Sequence, residues 1–176
     1  SAFANTHGGR LLIGVKDNGK IAGVRSEEEQ YMIEAAARMY CHPEISYHTQ
    51  VYQVEGRNIL IAHIDESPRK PVYARDESGR DLAYLRIKDE NILATPVHLR
   101  VWQQDGNPEG GYMPFTEREQ LLLNQLAENG SLSLNKCCKQ TRLPRRTVEN
   151  LLAQFIRYGL VETLFEGHHF LFRLKP

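Results

Sequence analysis

The stretch QQDGNPEGGYMP, residues 103–114, divides the chain into two parts that do not share one pattern. Its three Gly and two Pro make a composition that neither a helix nor a strand tolerates well. Before it, apolar residues alternate in short runs bounded by glycine. After it, they recur three and four positions apart. The sequence therefore predicts an α+β unit over 1–102, a linker over 103–114 and a second unit over 115–176. At 176 residues there is room for two small domains, although a piece of roughly 60 residues buries only a modest core.

In the first part, LLIGV (11–15) and IAGV (21–24) flank Asp17-Asn18-Gly19, which is a hairpin signal. SEEEQYMIEAAARMY (26–40) reads as a helix, with Ser26 and Glu29 as a capping box and Met32, Ala35, Ala36 and Met39 as its apolar stripe. ISYHTQVYQV (45–54) and RNILIAHI (57–64) form a second hairpin around Glu55-Gly56, and PVYA (71–74) and LAYLRI (82–87) complete the strands. The expected fold is a mixed sheet with at least one helix packed on it. The connection 67–81 carries Arg69, Lys70, Arg75 and Arg80, a loop that can bind phosphate or, with its interspersed acids, simply be solvated.

In the second part, FTEREQLLLNQLAENG opens on a Thr116/Glu119 capping box, carries Leu122, Leu123 and Leu126 on one stripe and ends at Gly130. SLNKCCKQT (133–141) is a short second helix. PRRTVENLLAQFIRYG follows, with Pro144 at its first turn and Gly159 past its end. LVETLFEGHHFLFRL closes the chain as two strands around Glu166-Gly167. Helix, helix–turn–helix and hairpin is the element order of a winged helix.

Charge is divided the same way. The chain is formally neutral, yet residues 1–113 hold 13 basic against 16 acidic side chains and residues 114–176 hold 9 against 6. The third helix places Val148, Leu151, Leu152, Phe155 and Ile156 on one face. Arg146, Asn150, Ala153 and Arg157 fall on the other, with Arg145 beside the N-terminus. Arg suits guanine and phosphate, and Asn suits adenine. The second helix of a helix–turn–helix enters the major groove, so Arg145, Arg146, Asn150 and Arg157 are the candidate DNA contacts. His168 and His169 at the hairpin tip are placed to reach a neighbouring backbone. Against this stands the plainer reading of a solvated face or a protein-binding module.

GGRLLIGV matches neither GxxxxGK[ST] nor GxGxxG, so Gly8, Gly9 and Gly14 read as turn and close-approach residues rather than a phosphate cradle. Cys41-His42 and Cys137-Cys138 lack a second pair at zinc-ligand spacing. One of the adjacent thiols is helix core, and three cysteines make no disulfide framework. His48 and His63 lie in strands and read as structural. No apolar run approaches the roughly 20 residues of a membrane span and no signal-peptide pattern is present, so the expectation is a cytoplasmic protein with no membrane partner.

SAFANTHGGRLLIGVKDNGKIAGV closely resembles the signature of the Schlafen AlbA-like domain, through Ala4, Asn5, Thr6, Gly8, Gly9, Ile13, Gly14, Val15, Asp17, Gly19, Ile21 and Gly23. AYLRIKDENILATP (83–96) looks like the family's closing strand, a polar loop and a Pro, and the resemblance covers about residues 1–100. It implies a nucleic-acid-binding domain, once described as a divergent ATPase, that often precedes a winged helix in prokaryotes. It also implies that an E-x-x-x-x-E-F-K stretch normally comes before this signature. In the members that cleave RNA, two carboxylates of that stretch join the position of Asp17 around a divalent metal. Asp17 is thus a weak metal or catalytic candidate here, with a plainer role as the first residue of a turn.

The expected function is a DNA-binding transcriptional regulator. Duplex DNA is its partner, RNA is a further candidate, and a homodimer is plausible on paired half-sites. The alternatives are a metal-dependent RNA-cleaving domain in a longer chain, or a nucleotide-binding domain. No cofactor is expected, divalent metal or ATP being the weak candidates.

Overall fold

A computed structural model describes residues 1–24, 27–105 and 115–176. Ser26, with its expected capping box, and residues 106–114 of the expected linker lie outside the described residues. The chain divides into two compact units, Ser1–Ala94 and Thr95–Pro176.

Unit 1 runs α1 (Ala2–Asn5), β1 (Gly9–Ile13), α2 (Glu28–Arg38), β2 (Cys41–His42), β3 (Tyr47–Val54), β4 (Arg57–Ile64), β5 (Tyr73–Arg75), β6 (Asp81–Ile87) and β7 (Glu90–Leu93). Its strands form two sheets, β1-β4-β3 and β2-β5-β6-β7. Every strand pair described is antiparallel, so the expected mixed sheet is replaced by two antiparallel ones. The cause is local: short turns at Glu55-Gly56, 76–80 and 88–89 join successive strands, and parallel pairing needs a crossover. Glu55 and Gly56 both have positive φ, at 53° and 74°, as a two-residue hairpin turn requires.

The first expected hairpin is cut down to a single bridge, Val15↔Ile21. β1 pairs instead with β4, Leu11 opposite Ala62 and Ile13 opposite Leu60. Gly14 explains the change. Its φ is +90°, and a Cβ there would lie 2.9 Å from the carbonyl carbon of Gly23. The Ala22 and Gly23 N–H groups both donate to the Gly14 carbonyl, at 2.8 and 2.9 Å. Residues 21–24 then dock on the start of β4, where Val24 N donates to Asn58 O at 2.7 Å and Arg57 Nη1 donates to Ile21 O at 2.7 Å.

Helix α2 turns a different face inward from the one expected. Ala37 is buried and Ile33 half-buried, while Met32 and Met39 are 68% and 69% exposed. Ile33 and Ala37 are one helical turn apart, so the inward stripe is offset by one position from the methionines. In the 67–81 connection, Arg75 pairs with Asp81 at 3.0 Å, Arg80 with Asp76 at 2.8 Å, and Lys70 with Glu66 at 2.6 Å. Neighbouring carboxylates thus occupy three of its four cations.

Unit 2 runs α3 (Pro96–Asp105), α4 (Glu117–Asn129), β8 (Leu132–Ser133), α5 (Leu134–Thr141), α6 (Arg145–Arg157), β9 (Val161–Glu166) and β10 (His169–Leu174). Helix α3 was not expected, and it takes in residues 103–105 of the expected linker. Thr95 Oγ1 accepts from the His98 backbone N–H at 3.5 Å and Pro96 occupies the first turn, a cap-and-proline start. Thr116 and Glu119 form the capping box of α4, and Gly130 and Gly159 end α4 and α6 with φ of +73° and +71°. The sheet order is β8-β10-β9. A single core joins these elements, with Val97, Leu122, Leu126, Cys137, Val148, Leu152, Phe155 and Phe172 almost wholly buried. Among the described residues no helix is long and apolar enough to cross a membrane.

Candidate nucleic-acid interface

The opening signature is built into the frame of unit 1. Ala4 and Asn5 are buried. Asn5 Oδ1 accepts from Val72 N at 2.7 Å, and its Nδ2 donates to Val72 O at 2.8 Å and to Tyr84 O at 3.0 Å. Thr6 Oγ1 donates to Ala2 O at 2.8 Å and accepts from Arg86 N at 2.9 Å. One helical turn therefore holds together the approach to β5 and the middle of β6.

The glycines that follow are close-approach positions. A Cβ on Gly8 would lie 2.5 Å from Ile64 O, and one on Gly9 would strike the Phe3 ring at 2.3 Å. Asp17 is exposed in the turn after β1. Among the described residues no three His, Cys, Asp or Glu side chains gather to hold a metal ion. The described residues do not by themselves fit the divalent site that the resemblance implies.

The cationic surface belongs to unit 2. From Gly130 to Val148 the chain has five cationic side chains and no carboxylate. The fold turns all five outward: Lys136 and Lys139 on α5, Arg142 at its end, and Arg145 and Arg146 at the start of α6. Ser133 caps α5, and Arg142 ends it in the left-handed region at φ 56°. The turn from α5 to α6 thereby sets the basic side chains of both helices close in sequence and on the surface. Among the described residues, Lys136, Lys139, Arg142 and Arg146 have no side-chain partner.

Arg145 differs from these four. Its Nε donates to Glu149 Oε1 at 3.1 Å and its Nη1 to Asn135 Oδ1 at 2.7 Å. Glu149 is buried on α6 and also takes Arg100 of α3, at 2.9 Å. This second ion pair corrects the expected outer face of α6. Ala153, assigned there with Arg146, Asn150 and Arg157, is fully buried, because α3 lies along α6 and puts Val97 and Val101 against it. Arg146 and Asn150 stay exposed, and Arg157 is half-buried.

At the hairpin tip, His168 has φ 61° beside Gly167 at φ 55°, the pair of positive values of a two-residue turn. Both His168 and His169 are exposed. Phe170 and Phe172 face inward, Phe170 against the His98 ring at 4.6 Å.

Other titratable groups are structural. Burial holds His98 down at about 4. Its Nδ1 accepts from Thr95 N at 3.3 Å, which requires the neutral ring. Burial, with Cys138 beside it, pushes the Cys137 thiol up to about 12, so Cys137 is inert core. His48 and His63 face each other across β3 and β4 as parallel rings 4.6 Å apart.

Sequence reasoning passed over Lys136, Lys139, Arg142, Arg100 and Glu149. The first three lie in the acid-free run and were legible there. The Arg100–Glu149 pair spans 49 residues and had no local signal.

These features define a two-unit α+β protein: an antiparallel unit clasped by the buried Asn5 and the neighbouring Thr6, then a helical unit with a small sheet and a basic surface. The chain belongs to the Schlafen AlbA_2 family, whose family model (Schlafen, AlbA_2) matches residues 1–95. No curated protein matches the chain. Among solved structures it is similar to the crystal structure of the DIP2311 protein from Corynebacterium diphtheriae, at 16% identity and a TM-score of 0.45 over 79% of this chain. The chain spans 30% of that protein's length.

Proposed function

We propose that the protein is a DNA-binding transcriptional regulator. In this reading unit 2 is a winged helix-turn-helix, and the AlbA-like unit is a nucleic-acid-binding, oligomerisation or sensor module. The observation that carries it is the exposed set Lys136, Lys139, Arg142 and Arg146 around the α5–α6 turn, in a sequence run that holds no carboxylate. Unpaired cations on two successive helices suit a polyanion, because each one neutralises a phosphate and releases its condensed counterion. The order α4, α5, α6 and β9–β10, with β8 as third strand, supports the winged-helix assignment.

Duplex DNA lies against the first two turns of α6, where Arg146 and Asn150 reach base edges or phosphates. The α3 side of α6, with Glu149 and Ala153, is closed to it. Lys136, Lys139 and Arg142 follow one strand's backbone, and His168 and His169 touch the backbone beyond. A homodimer would present two such surfaces to paired half-sites.

Fluorescence anisotropy with a mixed-sequence DNA duplex, a single strand of the same sequence and a structured RNA tests the reading. Micromolar or tighter binding that favours the duplex is expected. Absence of duplex binding, or a clear preference for the RNA, removes it.

A further inference from the structure

Unit 2 contains a cleft of about 440 Å³ where the starts of α3, α5, α6 and β10 meet. Its rim carries Lys136, Arg145 and His169 together with Ser133 and Asn135, Phe170 contributes to an apolar wall, and among the described residues no carboxylate lines it. The three nitrogen-bearing side chains come from three elements, so the tertiary fold, and not a sequence run, brings them together.

Arg145 is already oriented. Asn135 and Glu149 hold its Nη1 and Nε, while its Nη2 has no hydrogen-bond partner among the described residues. Lys136 and His169 likewise have no side-chain partner among the described residues. A guanidinium fixed by two acceptors, with its third nitrogen free in a cleft that an ammonium and an imidazole also line, suits the oxygens of a phosphate group. The volume lies within the usual range for small-ligand pockets, about 300–1,000 Å³. It leaves space for a group attached to the phosphate, against Phe170.

We propose that this cleft is a phosphate-binding site, built from Lys136, Arg145 and His169. The phosphate comes either from the backbone of a duplex crossing α5 and α6 or from a free phosphate ester of nucleotide size. The first source rests on the DNA-binding reading above; the second does not.

Two measurements on the full chain test it, each with the parent, Lys136→Ala and His169→Ala. The first is calorimetric titration with inorganic phosphate and with adenosine 5′-monophosphate at low salt. The second is duplex anisotropy across a salt series. Lys136 and His169 are exposed, so both variants keep the parent's circular dichroism and melting. Binding of a free ester that weakens about tenfold or more in Lys136→Ala supports the site with a free ligand. No response to free esters, with duplex affinity reduced in both variants and the salt slope smaller by about 1 in Lys136→Ala, supports a backbone phosphate. Parent-like behaviour of both variants in both titrations overturns the site. Duplex binding that neither variant alters, together with no response to free esters, leaves the DNA reading in place and removes the cleft. Ester binding without duplex binding does the reverse.

Discussion

Asn5 and Val72 grip each other through both of their polar ends. The Asn5 side-chain oxygen accepts from Val72 N at 2.7 Å, and its amide nitrogen donates to Val72 O at 2.8 Å. A third bond runs to Tyr84 O at 3.0 Å, and the side chain is buried. Asn5→Ala leaves three backbone groups without their partner, at about 1–3 kcal/mol for each that water cannot reach. Urea unfolding should show a loss on the order of 3 kcal/mol. Asn5→Asp should be destabilising too, because a carboxylate cannot donate to the two carbonyls. A variant with parent stability but impaired nucleic-acid binding would instead make Asn5 a ligand contact.

The glycines of the signature divide by what surrounds them. Gly8 has φ +69°, and an added Cβ would meet Ile64 O at 2.5 Å, whereas Gly19 has φ +79° and open space. Gly8→Ala should cost about 2 kcal/mol or more, from strain and clash together. Gly19→Ala should cost about 1 kcal/mol, from the backbone alone. Thermal melts of the two variants check the ranking, and an equal effect would contradict it.

His98 gives unit 2 a pH dependence. Its folded value of about 4 lies below the ordinary 6.5, so the unfolded chain takes up a proton first as the pH falls. Stability is full above pH 6.5 and declines towards pH 4, by on the order of 3 kcal/mol in all. Urea unfolding at pH 5 should give a value about 2 kcal/mol below that at pH 7.5. His98→Gln removes the titrating ring and should flatten this interval. An unchanged slope would place the proton uptake elsewhere.

Glu149 holds two arginines from different helices, at 2.9 Å for Arg100 and 3.1 Å for Arg145. Glu149→Gln keeps the volume but leaves Arg100 without its counter-charge in a mostly buried position. The expected loss is on the order of 2–4 kcal/mol. A double-mutant cycle with Arg100→Ala should return a coupling above about 1 kcal/mol, since the two side chains are in direct contact. Additive effects would mean that α3 is held on α6 by Val97 and its apolar neighbours alone.

Much of the fold was legible because its signals are local. The Thr116/Glu119 box, the glycines at 130 and 159 and the Glu55-Gly56 turn each depend on residues within one turn of chain. What escaped was long-range. Nothing near Leu11 indicates that its partner is Ala62 rather than the adjacent IAGV run. Exposed Met32 and Met39 imitate an inward stripe on α2. Helix α3 crosses the expected end of the first unit at residue 102, and its local signal is confined to the Thr95-Pro96 start. The unexpected α3 also explains Ala153, whose burial depends on a helix more than 45 residues away in sequence. The basic residues of α5 needed no structure, since an acid-free run can be counted.

The salt dependence of duplex binding reports directly on whether the exposed cations of α5 and α6 meet phosphates. If Lys136, Lys139, Arg142 and Arg146 each meet a phosphate, log K should fall with log[salt] at a slope of about −3.6. That is a loss of roughly 150-fold between 50 and 200 mM salt. Reversing Arg142 and Arg146 to Glu together should abolish most of the affinity and flatten the slope. A parent slope near zero, or a charge-reversed variant that binds like the parent, would contradict the assignment of this surface to DNA.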